Sequence, residues 1–340
     1  MATSKKVIVE SVKNEIPRLN KETIQSLSAL RKTSNYRNVV YLLFDWSLII
    51  GGICLSKIFA NNIIVYLISI FIIGSRQRAF DNLTHEASHG NLFKNKTLNN
   101  ILSSLLSTFP IFTSLTAYRN SHLDHHRYLS DREKDPDTKR YKLFGLDKPP
   151  KNKIIFILLH VIRPLTLLHV PRYIYGTISS FLYSKNTPIS EQVFRIGYWI
   201  LIITLSINFG VWKDLVLFWI VPYITVLQVI RYYAEMSEHA GLIQGDNQFK
   251  KTRNVFGNKL FLKFMYPHHD HYHLIHHLFP NIPHYNLPKA HKILMRESLY
   301  CEATHCFGYF YSPYKGVNSV IDDICKHGKK SHFFALKGEI

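Results

Sequence analysis

Residues 39–59 read VVYLLFDWSLIIGGICLSKIF and residues 63–74 read IIVYLISIFIIG, one dense apolar block broken at Asn61 and Asn62. A helix needs about 20 mostly apolar residues to cross roughly 30 Å of hydrocarbon, so this block predicts two membrane helices joined by a tight turn. Residues 196–231, IGYWILIITLSINFGVWKDLVLFWIVPYITVLQVIR, repeat the pattern, with Gly210 to Asp214 as the turn. Whole-chain composition hides this bunching, because a 46% hydrophobic share is ordinary for a soluble protein. The expected fold is therefore an all-α integral membrane protein. Four transmembrane helices, near 39–59, 62–80, 195–210 and 214–232, would form two hairpins under a cytosolic helical cap.

Charge sets the expected orientation. Lys and Arg number 42 against 23 Asp and Glu, a net charge of +19, yet the two turns hold or adjoin only Lys57 and Lys213. Short flanks rich in Lys and Arg stay cytosolic. The N-terminal segment 1–37, residues 75–195 and the C-terminal tail 296–340 should then lie on the cytosolic side. Anionic lipid head groups are a sufficient partner for this basic surface, and no basic helix or zinc-finger spacing asks for nucleic acid. The first 37 residues are charged and lack an apolar core, so they do not read as a cleavable signal. Cys54, Cys301, Cys306 and Cys325 are expected as reduced thiols, and CEATHC at 301–306 matches no standard zinc knuckle.

Between the hairpins, the second helix should run past the bilayer until Gly90 and Asn91 stop it. Residues 98–118 are apolar, rich in Ser and Thr and broken by Pro110, which predicts a re-entrant or interfacial helical hairpin. DREKDPDTKR at 131–140 reads as a polar loop with Pro136 as breaker. Residues 152–183, interrupted by His160, Arg163, Pro164, His169, Pro171 and Arg172, suit helices lying along the membrane surface.

The chemistry is carried by three histidine clusters: His85 and His89 in HEASH, His122, His125 and His126 in HLDHH, and His273, His276 and His277 in HLIHH. Residues three and four apart share one helix face, so each cluster presents its imidazoles to one locality. Eight rings gathered together are costly to bury protonated, and metal ions relieve that cost by taking lone pairs from neutral rings. Eight nitrogens exceed the needs of one ion, which favours two metals; imidazole suits iron, copper, nickel and zinc alike. Two other readings stand beside this one. HEASH also fits the H-E-x-x-H protease signature with Glu86 as general base, leaving six histidines unexplained. A metal transporter would be expected to place its ligands near the bilayer midplane instead.

With these residues in view, the chain resembles the membrane fatty acid desaturase superfamily. The resemblance rests on THEASHGNLF at 84–93, YRNSHLDHHRYLSDREKDPD at 118–137 and HYHLIHHLFPNIPHYNLPKAH at 271–291, and spans residues 38–295. It implies that the eight box histidines bind two irons, with His239 as a ninth ligand after the last membrane helix. Glu235 stands four residues before His239, where acyl-CoA desaturases carry Asn, and is a candidate tenth contact. Glu86 and Glu235 are the candidate catalytic carboxylates. The implied reaction is O2-dependent desaturation of a lipid acyl chain; the alternative is hydroxylation or ketolation of a carotenoid, sphingolipid or specialised metabolite. No HPGG haem motif is present, so electrons should come from a separate ferredoxin, flavodoxin or cytochrome b5. The sequence carries no signal for oligomeric state.

Glu86, Asp124, Asp135, Asp137 and Glu238 are candidate partners for ligand imidazoles, and Arg119 and Arg127 candidate partners for those carboxylates. Asp45 lies inside the first expected span, where a charge is costly. His268, His269 and His271 are expected to crowd around the site. His284, His291, His305, His327 and His332 show no partner pattern.

Overall fold

In the computed structural model, residues 19–178, 187–243, 245 and 247–326 are described. His327, His332, residues 1–18 of the N-terminal segment and residues 179–183 of the surface helices lie outside that set. The described chain is mostly helical. The first hairpin pairs α1 (Asn35–Ile58) with α2 (Ile63–His89). Asn61 takes a positive φ of 71°, and the Asn62 side chain accepts the N–H groups of Ile64 and Val65, so the two asparagines make both the turn and the cap. At the far end Gly90, with φ 76°, terminates α2 just after His89, as its sequence predicts.

After α2 the chain makes two helices, Lys96–Ile111 and α3 (Leu115–Arg127), that meet at 88° around Phe112. The bend falls two residues after Pro110. The polar loop at 131–140 needs correction, because helix α4 (Pro136–Phe144) begins inside it. Pro136 occupies the first helical position, where its missing N–H costs nothing, and Asp135 caps the helix by accepting the N–H of Asp137. Residues Lys153–Leu165 and Val170–Gly176 form a second bent pair at 71°.

The second hairpin pairs α5 (Ile189–Asn208) with α6 (Trp212–His239), turning at Gly210 with φ 68°. Among the described residues, three helices are long and apolar enough to cross a membrane: α1, α2 and α6. Counting each bent pair as one span raises that to five. Helix α5 is not among the three, and its first two turns are diluted by Glu191, Gln192 and Arg195. Its outer face nevertheless exposes Ile196, Ile200, Leu201 and Ile207, as α1 and α2 expose Leu43, Phe44, Ile63 and Leu67. Apolar surface of this extent suits hydrocarbon rather than water. Lys57 donates to Asp214, so the turn ends of the two hairpins meet on one side. Gly74 is where α2 touches α6, since a Cβ there would lie 2.6 Å from Val226 Cβ.

The cap departs from the all-α expectation. Strands β1 (Arg253–Phe256) and β2 (Thr304–Phe307) pair in parallel, with Arg253 opposite Thr304 and Phe256 opposite Phe307. A parallel pair needs a long crossover, and this one carries α7 (His273–Leu278). The expected tail is thereby drawn into the body: β2 follows residue 295, and Ile321 and Ile324 of the helix Val320–Lys326 are fully buried. The Arg253 guanidinium, fully buried, donates to the carbonyls of Ser237 and Ala240 and to Asp323. Sheet, tail and the end of α6 are thus locked together.

Candidate metal centre

Four helices deliver nine imidazoles to one region. His85 and His89 stand on the last turn of α2, and His122, His125 and His126 on the last turns of α3. His239 ends α6, and His273, His276 and His277 span the short α7. They fall into two groups. His85, His89, His122, His126 and His276 form one, and His125, His239, His273 and His277 the other; within each, one ring nitrogen per residue lies within 4.8 Å of all the rest. In the first group Nε2 of His276 lies 2.7 Å from that of His85 and 2.9 Å from that of His126, and His122 Nε2 lies 2.9 Å from His89 Nε2. In the second, His273 Nε2 lies 2.9 Å from His239 Nε2 and 3.0 Å from His277 Nε2.

The chemistry of this donor set fits metal ions. Burial first, and the neighbouring rings second, hold His122, His126, His273, His276 and His277 well below the usual imidazole range. Neutral rings whose lone pairs converge on one point suit a cation placed between them. The nitrogens of each group converge closely enough that one ion could be held by each.

His125 differs from its neighbours. Burial opposes its protonation, but Asp137 and Asp135 outweigh it and raise its pKa. Its Nδ1 lies 2.9 Å from Asp135 and 3.5 Å from Asp137. Asp135 is disfavoured as an anion by burial, yet His125 and the N–H groups of Ser130 and Asp137 hold it at about 2. His239 Nδ1 is anchored on the Lys251 carbonyl at 2.9 Å. Fixing one ring nitrogen in this way sets tautomer and aim for the other.

The remaining candidates divide. Glu86 lies in neither imidazole group and accepts the backbone N–H of His284. Glu235 also lies outside both; Arg140 Nε is 3.1 Å from it and the Tyr173 hydroxyl donates to it. Glu238 approaches His273 Nε2 at 3.8 Å. Asp124 faces outward, 3.8 Å from Arg127. Arg119 does not pair with those carboxylates: it donates to the carbonyls of Ala87 and Ser88 and to Asn100, because the open C-terminal end of α2 offers acceptors at closer range. Asp45 is wholly buried and receives Arg76 at 2.9 Å and His268 at 2.7 Å, tying α1 and α2 to the third cluster. His271 holds the Val255 carbonyl, and His284 packs on Tyr41. His269 packs near His271, and burial lowers its pKa to about 4. His291 and His305 both engage Tyr300, a partner that sequence spacing does not reveal. Cys301, Cys306 and Cys325 form no disulfide among the described residues, and none belongs to a metal-like group there.

A cavity of about 140 Å³ opens onto His85 and His122 of the first group and His125 and His273 of the second. Its remaining wall is polar and mostly charged. Arg231 grips Asp81 with two bonds of 2.6 Å, and Arg78 donates to Asp270 at 2.5 Å.

A family model described as fatty acid desaturase matches residues 61–310. The chain belongs to this family. It is accordingly an oxidoreductase of desaturase type, a membrane protein by its apolar helices, in a family whose centres are generally di-iron. Over 331 residues, 95% of this chain and 93% of the relative, the desaturase is 32% identical to the dihydrorhizobitoxine desaturase of Bradyrhizobium elkanii. It is 23% identical to the chloroplastic omega-3 fatty acid desaturase of Glycine max, over 90% of this chain and 70% of that one. The sn-1 acyl-lipid omega-3 desaturase (ferredoxin) of a Synechocystis species is 25% identical over 75% of this chain and 74% of its own.

Proposed function

We propose that this desaturase holds one iron with His85, His89, His122, His126 and His276 and a second with His125, His239, His273 and His277. With O2 and electrons from a separate ferredoxin or cytochrome b5-type donor, it introduces a double bond into its substrate. The observation that carries this reading is the division of nine buried or half-buried imidazoles into two groups, with no ring left over. When bound, the iron pair supplies the oxidising power that unactivated carbon requires and that no side chain possesses. The protein's own part is placement. Asp135 and the Lys251 carbonyl orient two rings, Arg253 fixes the end of α6, and the cavity brings substrate against both groups. Glu86 and Glu235 act as positioning carboxylates: Glu86 through the His284 backbone, and Glu235 through Arg140 and Tyr173.

The reading places residues 38–295 as the desaturase domain, four spans in two hairpins, and the centre with both termini on the cytosolic side. It is supported by the shared side of the two turns and the basic excess elsewhere. A lipid acyl chain as substrate has support in the names of two relatives, whereas the relative at 32% identity is named for dihydrorhizobitoxine. Substrate class is set by the cavity wall rather than by the metal pair. Purified protein should contain about two irons per chain, and His276→Ala should abolish the O2-dependent loss of two hydrogens. One zinc per chain would overturn the proposal. Labelled dioxygen separates desaturation, which leaves no label in the organic product, from hydroxylation, which does.

A further inference from the structure

The cavity beside the imidazoles has the wrong wall for a hydrocarbon chain. Among the described residues lining it there is no aliphatic side chain and no phenylalanine; apart from the imidazoles, its only rings are Tyr118 and Tyr173. Three guanidiniums and five carboxylates make up most of the remainder. A methylene chain gains its binding energy by leaving water for apolar surface. Here it would displace the solvation of charged groups and offer them nothing in return. An apolar cavity does exist, of about 360 Å³, lined by Ile53, Ile202, Leu205 and Phe218. It adjoins Asp214 and Phe209 at the turn end of the second hairpin, and α2 carries its histidines at the opposite end.

The charges in the polar wall do not balance. Arg231 is committed to Asp81, Arg78 to Asp270, and Arg140 to Asp137 and Glu235. That leaves Glu238, which makes no hydrogen bond among the described residues; Arg78 stands 3.7 Å away, and a Glu238 oxygen lies within 4.8 Å of Asp270 and His273, a grouping that suits a cation. Glu238 is 9% exposed and faces the cavity. Acidic oxygens clustered on one wall of a cavity favour a cationic N–H group in that space, where charge-assisted hydrogen bonds can form. Hydroxyl groups of Tyr118, Ser121 and Thr113 line the same space.

We infer that the substrate is a compact, water-soluble molecule bearing a protonated amine, bound through Glu238, and not the acyl chain of a lipid. This deepens the desaturase reading and rests on the same site. The protein, iron-loaded in detergent and kept free of O2, is mixed separately with the water-soluble and the lipid extract of cells that naturally make it. Small molecules retained through gel filtration are identified by mass spectrometry. The water-soluble extract should yield a retained amine, and Glu238→Gln should reduce its retention at least about tenfold, while Glu238→Asp keeps most of it. Three results overturn the inference: retention of an acyl lipid alone, nothing retained from the water-soluble extract, or equal retention of the amine by Glu238→Gln. Admitting O2 and reductant then tests the other reading separately. A product two hydrogens lighter in the lipid extract alone would sustain desaturation and sink the amine, whereas oxygen label in an amine product would do the reverse.

Discussion

The two imidazole groups are built from the same residue type on the same helices, yet they are held differently. The group of five keeps only His85 and His276 fully buried, with His89, His122 and His126 partly open. Its rings are aimed mainly by helix register: His85 and His89, and His122 and His126, are four residues apart on α2 and α3. The group of four is buried throughout and draws on acceptors outside the helices, with Asp135 behind His125 and the Lys251 carbonyl behind His239. Only two of the four rings are braced in this way, since His277 Nδ1 has no hydrogen-bond partner among the described residues. The difference teaches that helix register alone can aim one group, while two rings of the other are aimed by acceptors outside their own helices.

Removing a ligand breaks the comparison most severely. His276→Ala should empty the group of five and His273→Ala the group of four, each leaving about one iron per chain by elemental analysis and no measurable desaturation. If either variant loses both ions, the groups are one cooperative unit. The next effect is one-sided. Asp135→Asn leaves the ring of His125 in place but weakens its orientation, and should lower metal affinity in the group of four by about 10–100-fold, measured by chelator competition in a His276→Ala background. The group of five, measured in a His273→Ala background, should not respond. Smaller again is Arg119→Gln. Its guanidinium satisfies two terminal carbonyls of α2 beside His89, and hydrogen bonds from charged donors contribute about 1.5–3 kcal/mol. Thermal unfolding should show that loss, together with weakened metal binding confined to the group of five.

Much of this was legible before the fold, and the rest was hidden for definite reasons. Apolar runs, Asn62, Gly90 and the His spacing act within a few residues of one another, so the sequence displays them directly. Asp135 was half legible: a partner for His125 by proximity, but not the cap of a helix that starts at a supposed breaker. The β1 and β2 pairing joins two four-residue segments across a long crossover, and no local pattern marks it. Charge alone suggests carboxylate partners for Arg119, whereas the open end of a helix is the nearer acceptor. The cavity wall had a signal that charge spacing carries. Arg78 and Asp81, Asp137 and Arg140, and Glu235 and Glu238 are each three residues apart, so each pair lies on one helix face beside a histidine cluster.

Acidity offers the finest discrimination between the two groups. His122, His126 and His276 in the group of five are held neutral by burial, so protons do not compete for them until well below the usual imidazole range. In the group of four, burial resists protonation of His125 but Asp137 and Asp135 outweigh it and raise its pKa. For the metal-free fold, a raised imidazole pKa contributes stability below its ordinary value near 6.5, which is lost as pH rises through the higher value. For the metal the sense reverses, because the ion takes the lone pair that the proton would occupy. Moving from pH 8 to pH 6 should therefore weaken metal binding by the group of four, by at most about tenfold per pH unit below the His125 pKa. Binding by the group of five should stay nearly constant over the same interval. Metal competition titrations on His276→Ala and His273→Ala read the two groups separately, and Asp135→Asn should flatten the response of the first. Equal pH slopes in both variants would mean that Asp135 and Asp137 orient His125 without setting its charge.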